Sequence, residues 1–191
     1  MDLEQHYEEY KHIYKFGVLS PTSDYQLVMG IEHFSQTAGI PPHYVYRSIV
    51  DFAENGVTDW MRDYFSHKDN GIFGCCLVGD QDVLMKMSAM IGCAIRNYID
   101  ARLMTLQEVI DFRKNGSRIG FELVAVPNFF VSKSEGGDVP KWQSSQLLSW
   151  LYERYAEGVM TILYVSSMPT LKNSYGTAFE RFITDNYKVM V

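Results

Sequence analysis

The sequence predicts an α/β fold in which a parallel sheet lies between two layers of helices. Three observations predict it: short continuous apolar runs typical of buried strands, helix-length segments between them, and 191 residues of which 47% are hydrophobic. This length and composition suit one globular core that needs no disulfides. Strands that alternate with helices form parallel crossovers, and a ligand site is then expected at the carboxyl ends of the strands.

The charge of the chain is unevenly distributed. Residues 1–70 contain eleven acidic and five basic side chains, whereas residues 71–191 contain twelve of each. Neither part has the clustered basic face that binding to a phosphate backbone requires, so direct DNA binding is not the expected main activity. The N-terminus is acidic and aromatic, and no run of 18 apolar residues occurs, so we expect a cytoplasmic protein without a membrane segment.

The cysteines and histidines do not indicate a metal site. Cys75 and Cys76 are adjacent and Cys93 stands alone, which is typical of reduced, buried thiols. All five histidines lie within residues 1–70, and none has the spacing of metal ligands. We therefore expect no bound metal.

The first part of the chain is predicted to form short helices with apolar stripes, which usually pack on the protein's own core. Ser23-Asp24 is the predicted N-cap of the second stripe, and Gly39-Ile40-Pro41-Pro42 ends it because neither proline donates an amide hydrogen bond. The predicted boundaries are a helical segment over 1–38 and an α/β core over 39–191. The stripes consist of Leu3, Tyr7, Tyr10 and Tyr14, then Leu27, Ile31, Phe34 and Ala38.

The core begins with a strand predicted to be buried on both faces, the apolar run IFGCCLV, which stops at Gly79-Asp80. Thr105 and Glu108 have the spacing of a capping box, which predicts that a helix begins there. The elements predicted in this half are a strand over 72–78, a helix over 84–98, a strand over 102–104 and a helix over 105–116.

The second half of the core repeats the alternation. The run FELVAV is a buried-type strand that Pro127 is expected to end. The predicted elements are a strand over 121–126, a polar loop over 131–141, a helix over 142–157, a strand over 159–165, a helix over 173–184 and a strand over 187–191. The loops at the carboxyl ends of the strands are therefore 79–83, 127–140 and 166–170.

Five sequence pieces follow one another in a recognisable order. The first is GIPPHY, which begins at Gly39, and the second is a strand that ends at Gly79. After them come the runs LVAVPNFF and TILYVSS, and finally Tyr175-Gly176 with Arg181. In order and spacing these pieces resemble the replicative helicase loaders of the DnaC and DnaI type and the related IstB ATPases. The resemblance implies a P-loop NTPase fold of the AAA+ type, a three-layer parallel sheet preceded by a short helical N-terminal segment.

The phosphate-binding loop departs from the pattern of that family. A P-loop reads G-x-x-x-x-G-K-[ST], and residues 79–87 read GDQDVLMKM. Lys86 either falls at the Ser/Thr position or, with one residue inserted, is the motif lysine followed by Met87 in place of the hydroxyl. Asp80 and Asp82 also place two negative charges where polyphosphate would lie.

The other nucleotide motifs are degenerate as well. Pro127-Asn128 stand where the resemblance implies an acidic pair that binds Mg²⁺, and Ser166-Ser167 where it implies the sensor asparagine. Arg181 keeps the identity of an arginine finger, which acts on nucleotide bound by a neighbouring subunit and so implies a homo-oligomer. We expect no catalytic residue. The nucleotide-site positions that the resemblance assigns are Gly79, Lys86, Pro127, Asn128, Ser167 and Arg181.

These observations favour a DNA-replication accessory protein that resembles a helicase loader, has lost ATPase activity and acts through protein contacts. Its expected partners are a replicative helicase, loader or initiator, with the acidic, aromatic N-terminal region as docking surface and a weak contact of loop 131–141 with single-stranded DNA. No cofactor is expected, and ATP–Mg²⁺ is disfavoured. Three alternatives stay open: an inhibitor that mimics a loader subunit, an ATPase with Lys86 on phosphate and Asp80 or Asp82 on the metal, and a scaffolding domain.

Overall fold

A five-stranded, fully parallel sheet organises the computed structural model, which describes residues 21–131 and 141–191. The strands are β1 (Gly74–Val78), β2 (Ala101–Leu103), β3 (Leu123–Phe130), β4 (Met160–Val165) and β5 (Lys188–Met190). They lie in the order β2-β3-β4-β1-β5, and every neighbouring pair is parallel. The predicted α/β fold with a parallel sheet is confirmed.

Helices connect the strands and precede them. Ahead of the sheet come α1 (Pro21–Met29), α2 (Ile31–Ala38), α3 (His43–Tyr46), a 3-10 turn (Ile49–Asp51), α4 (Asn55–Arg62) and α5 (Tyr64–Asp69). The connections contain α6 (Val83–Arg96), α7 (Leu106–Lys114), α8 (Lys141–Glu157), α9 (Met168–Tyr175) and α10 (Thr177–Asn186). None of the helices within these described ranges combines the length and apolar character needed to cross a bilayer.

The strand order determines which helices share a face of the sheet. The connection from β1 crosses the sheet to its β2 edge, whereas the other three connections run in the opposite direction. Because parallel crossovers are right-handed, α6 lies on one face and α7 to α10 lie on the other. Two hydrophobic clusters match this division, one joining α1 to α6 with one face of the sheet and one joining α7 to α10 with the other. The fold therefore has three layers.

Strand β1 contributes to both clusters. Cys75 and Leu77 pack in the cluster of α1 to α6, and Cys76 packs in the cluster of α7 to α10. Burial raises the pKa of the Cys76 thiol to about 12 and raises that of Cys75 as well. The prediction of buried thiols is confirmed for these two residues, whereas Cys93 is only partly buried.

The second N-terminal stripe packs on the core as predicted. Leu27, Ile31 and Ala38 are buried, and Phe34 packs against the same cluster. The predicted N-cap at Ser23-Asp24 is wrong, because α1 already begins at Pro21. The first stripe, from Leu3 to Tyr14, lies outside the described residues, as does the part of the proposed N-terminal docking region that precedes residue 21.

The capping box at the start of α7 is confirmed. The Thr105 hydroxyl accepts from the Glu108 amide, and the Glu108 carboxylate accepts from the Thr105 amide at 2.7 Å. Six further predicted elements are present, and most of their ends differ from the prediction by one or two residues. They are strands β1, β2, β4 and β5 and helices α6 and α8.

Strand β3 does not stop at Pro127 as predicted but continues to Phe130. Val126 pairs with Leu163 and Phe130 pairs with Val165, so the register shifts between these two pairs. Proline lacks the amide hydrogen that a regular ladder needs, and it is accommodated in this irregular segment.

The helix predicted over 173–184 is two helices. Gly176, with φ +99°, separates α9 from α10, and α9 begins earlier than predicted because Ser167 serves as its N-cap. Of the predicted loop over 131–141, residues 132–140 lie outside the described residues, and α8 begins at Lys141.

Candidate functional site

The candidate site lies at the carboxyl ends of β1 and β4. These neighbouring strands end side by side, with Val78 paired to Val165, and their connections leave in opposite directions. Such a switch point opens a crevice where ligands bind in parallel α/β sheets. Gly79 turns the chain here with φ +68°, and its amide donates to the Val165 carbonyl at 3.0 Å.

Lys86 lies in the first turns of α6 and is 9% exposed. Its Nζ donates to Asp80 Oδ2 at 2.7 Å and to Glu54 Oε1 at 2.9 Å. The second carboxylate oxygen of Asp80 accepts from the Asp82 amide at 2.9 Å. Burial acts to lower the pKa of Lys86, but the bonds to Asp80 and Glu54 hold it above its ordinary value. The loop is therefore closed around a charged ammonium by carboxylates of the chain itself.

A cavity of about 500 Å³ opens beside this ion pair. We name it the Lys86 pocket; it lies between the start of α4, the end of β1 and the end of β5. Its lining residues are Glu54, Gly56, Val57, Leu77, Val78, Gly79, Asp80, Lys86, Met190 and Val191.

The residues at this edge do not fit ATP–Mg²⁺. A phosphate would compete with Asp80 and Glu54 for the Lys86 ammonium, and two carboxylates next to it would repel the phosphate charge. Met87 is fully buried and supplies no hydroxyl for a metal. Within residues 21–131 and 141–191, no group of three or more His, Cys, Asp and Glu is arranged to hold a metal ion.

Asn128, at one of the two positions where the resemblance implies an acidic pair, caps a helix. Its Oδ1 accepts from the Leu106 amide at 2.8 Å, at the first residue of α7. Leu106 N–H is one of the amides that a helix leaves without an internal partner, so this bond satisfies it. Pro127, the residue before Asn128, lies in the irregular part of β3. The structure thus gives Asn128 a contact within the fold.

The two serines after β4 have different surroundings: Ser167 caps a helix, and the Ser166 hydroxyl has no hydrogen-bond partner in the described part of the chain. Ser167 Oγ accepts from the Thr170 amide at 3.4 Å and from the Thr170 hydroxyl at 3.1 Å. The Ser166 amide donates to Phe130 at 2.9 Å, and the Ser166 Oγ is buried with no hydrogen-bond partner among the described residues.

Arg181 lies in the other helical layer from Lys86. It is exposed on α10 and lines a groove of about 400 Å³ together with Tyr152, Tyr155 and Asp185. The structure therefore brings Gly79 and Lys86 together and places Arg181 on the far side of the sheet.

Glu54 is the site residue that the sequence analysis missed. It lies 32 residues before Lys86, in the turn that leads into α4, and no spacing rule connects two residues of that separation. Neither the models of protein families nor the curated proteins give a match to this chain. The resemblance to helicase loaders stays a prediction.

Proposed function

We propose that this chain is a DNA-replication accessory protein that resembles a helicase loader and acts through protein contacts, without ATPase activity. One observation carries the proposal: the lysine of the degenerate phosphate loop is held by Asp80 and Glu54. The parallel sheet is consistent with the scaffold that the resemblance implies, and the lysine that would bind phosphate is occupied by Asp80 of the same loop and by Glu54 ahead of α4.

The electrostatics of the loop support the loss of catalysis. Phosphoryl transfer depends on cations that clamp the phosphate and a metal held by acidic side chains. Here the only lysine in the loop is already neutralised, and Pro127-Asn128 supply no carboxylate for a metal. Asn128 accepts from the first amide of α7 and Ser167 is the N-cap of α9, so two further positions of the implied nucleotide site have structural roles.

Calorimetry with ATP and Mg²⁺ tests the loss of nucleotide binding. We expect no heat of binding at micromolar ATP and no hydrolysis above background. Micromolar binding that Lys86→Ala abolishes would contradict this expectation. Lys114→Ala, in an exposed surface pair at 4.0 Å from Asp111, is the matched control.

Capture of partners tests the replication role separately. The tagged full chain is expected to retain a replicative helicase, a loader or an initiator from a lysate of the source cells. If repeated captures recover none of the three, the replication role fails even though the fold stands.

The inhibitor hypothesis and the accessory-protein hypothesis predict opposite effects on helicase loading. Addition of the chain to an assay of loader-driven helicase assembly is expected to increase the rate if it assists loading. A decrease that grows with its concentration would favour a loader-subunit mimic.

A further inference from the structure

The Lys86 pocket combines apolar walls with an acidic edge. Its walls come from Val57, Leu77, Val78 and Met190, and its charged side chains are those of Glu54, Asp80 and Lys86. Two carboxylates against one ammonium leave an excess of one negative charge. The pocket therefore suits a ligand that has both an apolar part and a positive charge.

Glu54 is the charged group that remains accessible. Its side chain is 82% exposed, whereas those of Asp80 and Lys86 are 16% and 11% exposed. A second cation can reach the Glu54 carboxylate from solvent while the buried Lys86–Asp80 pair at 2.7 Å stays intact. Entry of a cation thus needs no loss of a buried ion pair.

The shape of the charge distribution favours a guanidinium. An arginine head group pairs with a carboxylate through two parallel hydrogen bonds, and its aliphatic stem covers apolar surface. Val57 and Met190 line the same pocket as Glu54 and offer such a surface. An anion would instead meet the excess negative charge, and a neutral apolar group would gain nothing from the exposed Glu54 carboxylate.

We propose that the Lys86 pocket receives an arginine side chain of a protein partner. The inference rests on the proposed function, since it names the chemistry by which a loader-like chain without ATPase activity would contact its partner. The cavity, its apolar walls and its charge all support this inference. The walls would contact the aliphatic stem of the arginine, and the Glu54 carboxylate would pair with its guanidinium.

Titration of the isotope-labelled full chain with N-acetyl-arginine amide tests the proposal by NMR. We expect amide shifts that cluster at Gly56, Gly79 and Asp80 and saturate at millimolar probe. The matched probe is N-acetyl-citrulline amide, which has nearly the same shape but no charge. The same shifts with both probes, or none with the arginine probe, would overturn the proposal.

A variant of the accessible carboxylate sharpens the test. Glu54→Gln is expected to weaken the arginine probe about fivefold, because it removes the charge but keeps the size of the side chain. Its exposure means that the fold should persist, which the dispersion of the spectrum checks. Glu153→Gln, in an ion pair with Arg113 on the other layer, is the control and should leave the affinity unchanged. Equal affinity of wild type and Glu54→Gln would overturn the proposal.

The two proposals can fail independently. If a replication partner is captured equally well by wild type and by Glu54→Gln, and the probe does not bind, the arginine site is wrong and the proposed function stands. If the probe binds at the predicted amides but no helicase, loader or initiator is captured, the replication role is wrong and the arginine site stands.

Discussion

Lys86 shows how the surroundings of one residue decide its chemistry. A lysine in a phosphate-binding loop needs free N–H donors, and here two carboxylates accept from it while it is almost completely buried. The sequence identified Lys86 and Asp80 and the conflict between their charges and a phosphate. Glu54 could not be identified, because only the packing of α4 against α6 brings it to Lys86.

The ion pair of Lys86 should contribute to stability. Lys86→Met leaves Asp80 mostly buried without its cation, so we expect the free energy of unfolding to fall by about 1–3 kcal/mol. Urea denaturation followed by circular dichroism measures this. Lys114→Met, in an exposed pair, should cost at most about 0.5 kcal/mol. A loss for Lys86→Met as small as that of the control would show that Asp80 is satisfied without the lysine.

Arg154 connects α8 to the amino ends of two strands. It is 2% exposed, and its guanidinium donates to the carbonyls of Phe121 and Met160 and to the Thr161 hydroxyl at 2.8 Å. Burial lowers its pKa to about 10. Arg154 therefore joins α8 to the amino ends of the strands, whereas the candidate site lies at their carboxyl ends.

Loss of that guanidinium should be costly. Arg154→Met leaves buried carbonyls without donors, and we expect the free energy of unfolding to fall by about 2–4 kcal/mol. Arg154→Lys should recover only part of the loss, since an ammonium cannot reproduce the planar fork that reaches four acceptors, the Ile119 carbonyl being the fourth. Guanidinium denaturation of the two variants beside Arg181→Met, an exposed control, checks this. Wild-type stability in Arg154→Lys would contradict it.

Among the helices, α3 and α6 approach each other at backbone distance. A Cβ added to Gly92 on α6 would lie 2.0 Å from the Tyr44 carbonyl on α3. Arg96, one turn further along α6, donates to Val45 on α3 at 3.0 Å. Glycine at position 92 therefore allows the two helices to approach at backbone distance.

Gly92→Ala should separate these helices. Because the clash is with backbone rather than with a flexible side chain, we expect a loss of more than about 2 kcal/mol. Gly120→Ala is the matched control, since an added Cβ there meets nothing within 4 Å, and it should change stability by at most about 0.5 kcal/mol. Thermal unfolding compares them, and equal midpoints for the two variants would refute the close contact.

The capping box of α7 should give the protein a measurable acid sensitivity. Burial acts to raise the pKa of Glu108, but bonds from Thr105 and the nearby Arg102 hold it below its ordinary value of 4.5. A carboxyl with a lowered pKa stabilises the fold above its ordinary pKa, and this stability is lost as the pH falls through the lowered value.

The comparison of wild type with Glu108→Gln measures this contribution. At pH 7 the variant should be less stable by about 0.5–1 kcal/mol, and the difference should shrink as the pH falls below 4.5. Urea denaturation at a series of pH values between 7 and 3 provides the data. A difference that grows towards low pH would have the wrong sign and would contradict the role of the carboxylate.

For the molecule as a whole, the layers on the two faces of the sheet should unfold together. Trp60 belongs to the cluster of α1 to α6 and Trp150 to the cluster of α7 to α10, and the sheet joins the two. In a Trp142→Phe background, Trp60→Phe and Trp150→Phe each leave one reporter. We expect the denaturation midpoints from both reporters and from circular dichroism to coincide. Separate midpoints would show that the helices ahead of the sheet unfold on their own.

The alternation of strands and helices, and hence the parallel sheet, could be predicted because buried strands and capping boxes are local signals. The end of β3 could not, because an irregular ladder tolerates Pro127 only through its pairing with β4. The break at Gly176 also escaped, since the apolar spacing continues across it. Strand order and the position of Glu54 depend on contacts far apart in sequence, so no local pattern reveals them.

The adjacent thiols of β1 can report separately on the opening of the two faces of the sheet. Cys75 and Cys76 are neighbours along the strand, yet each is covered by a different helical layer. A thiol reagent reaches either sulfur only after its own layer opens, so the two labelling rates report the opening of the two sides at a single point of the sequence. Any partner that clamps one side of the sheet would slow one rate and leave the other unchanged.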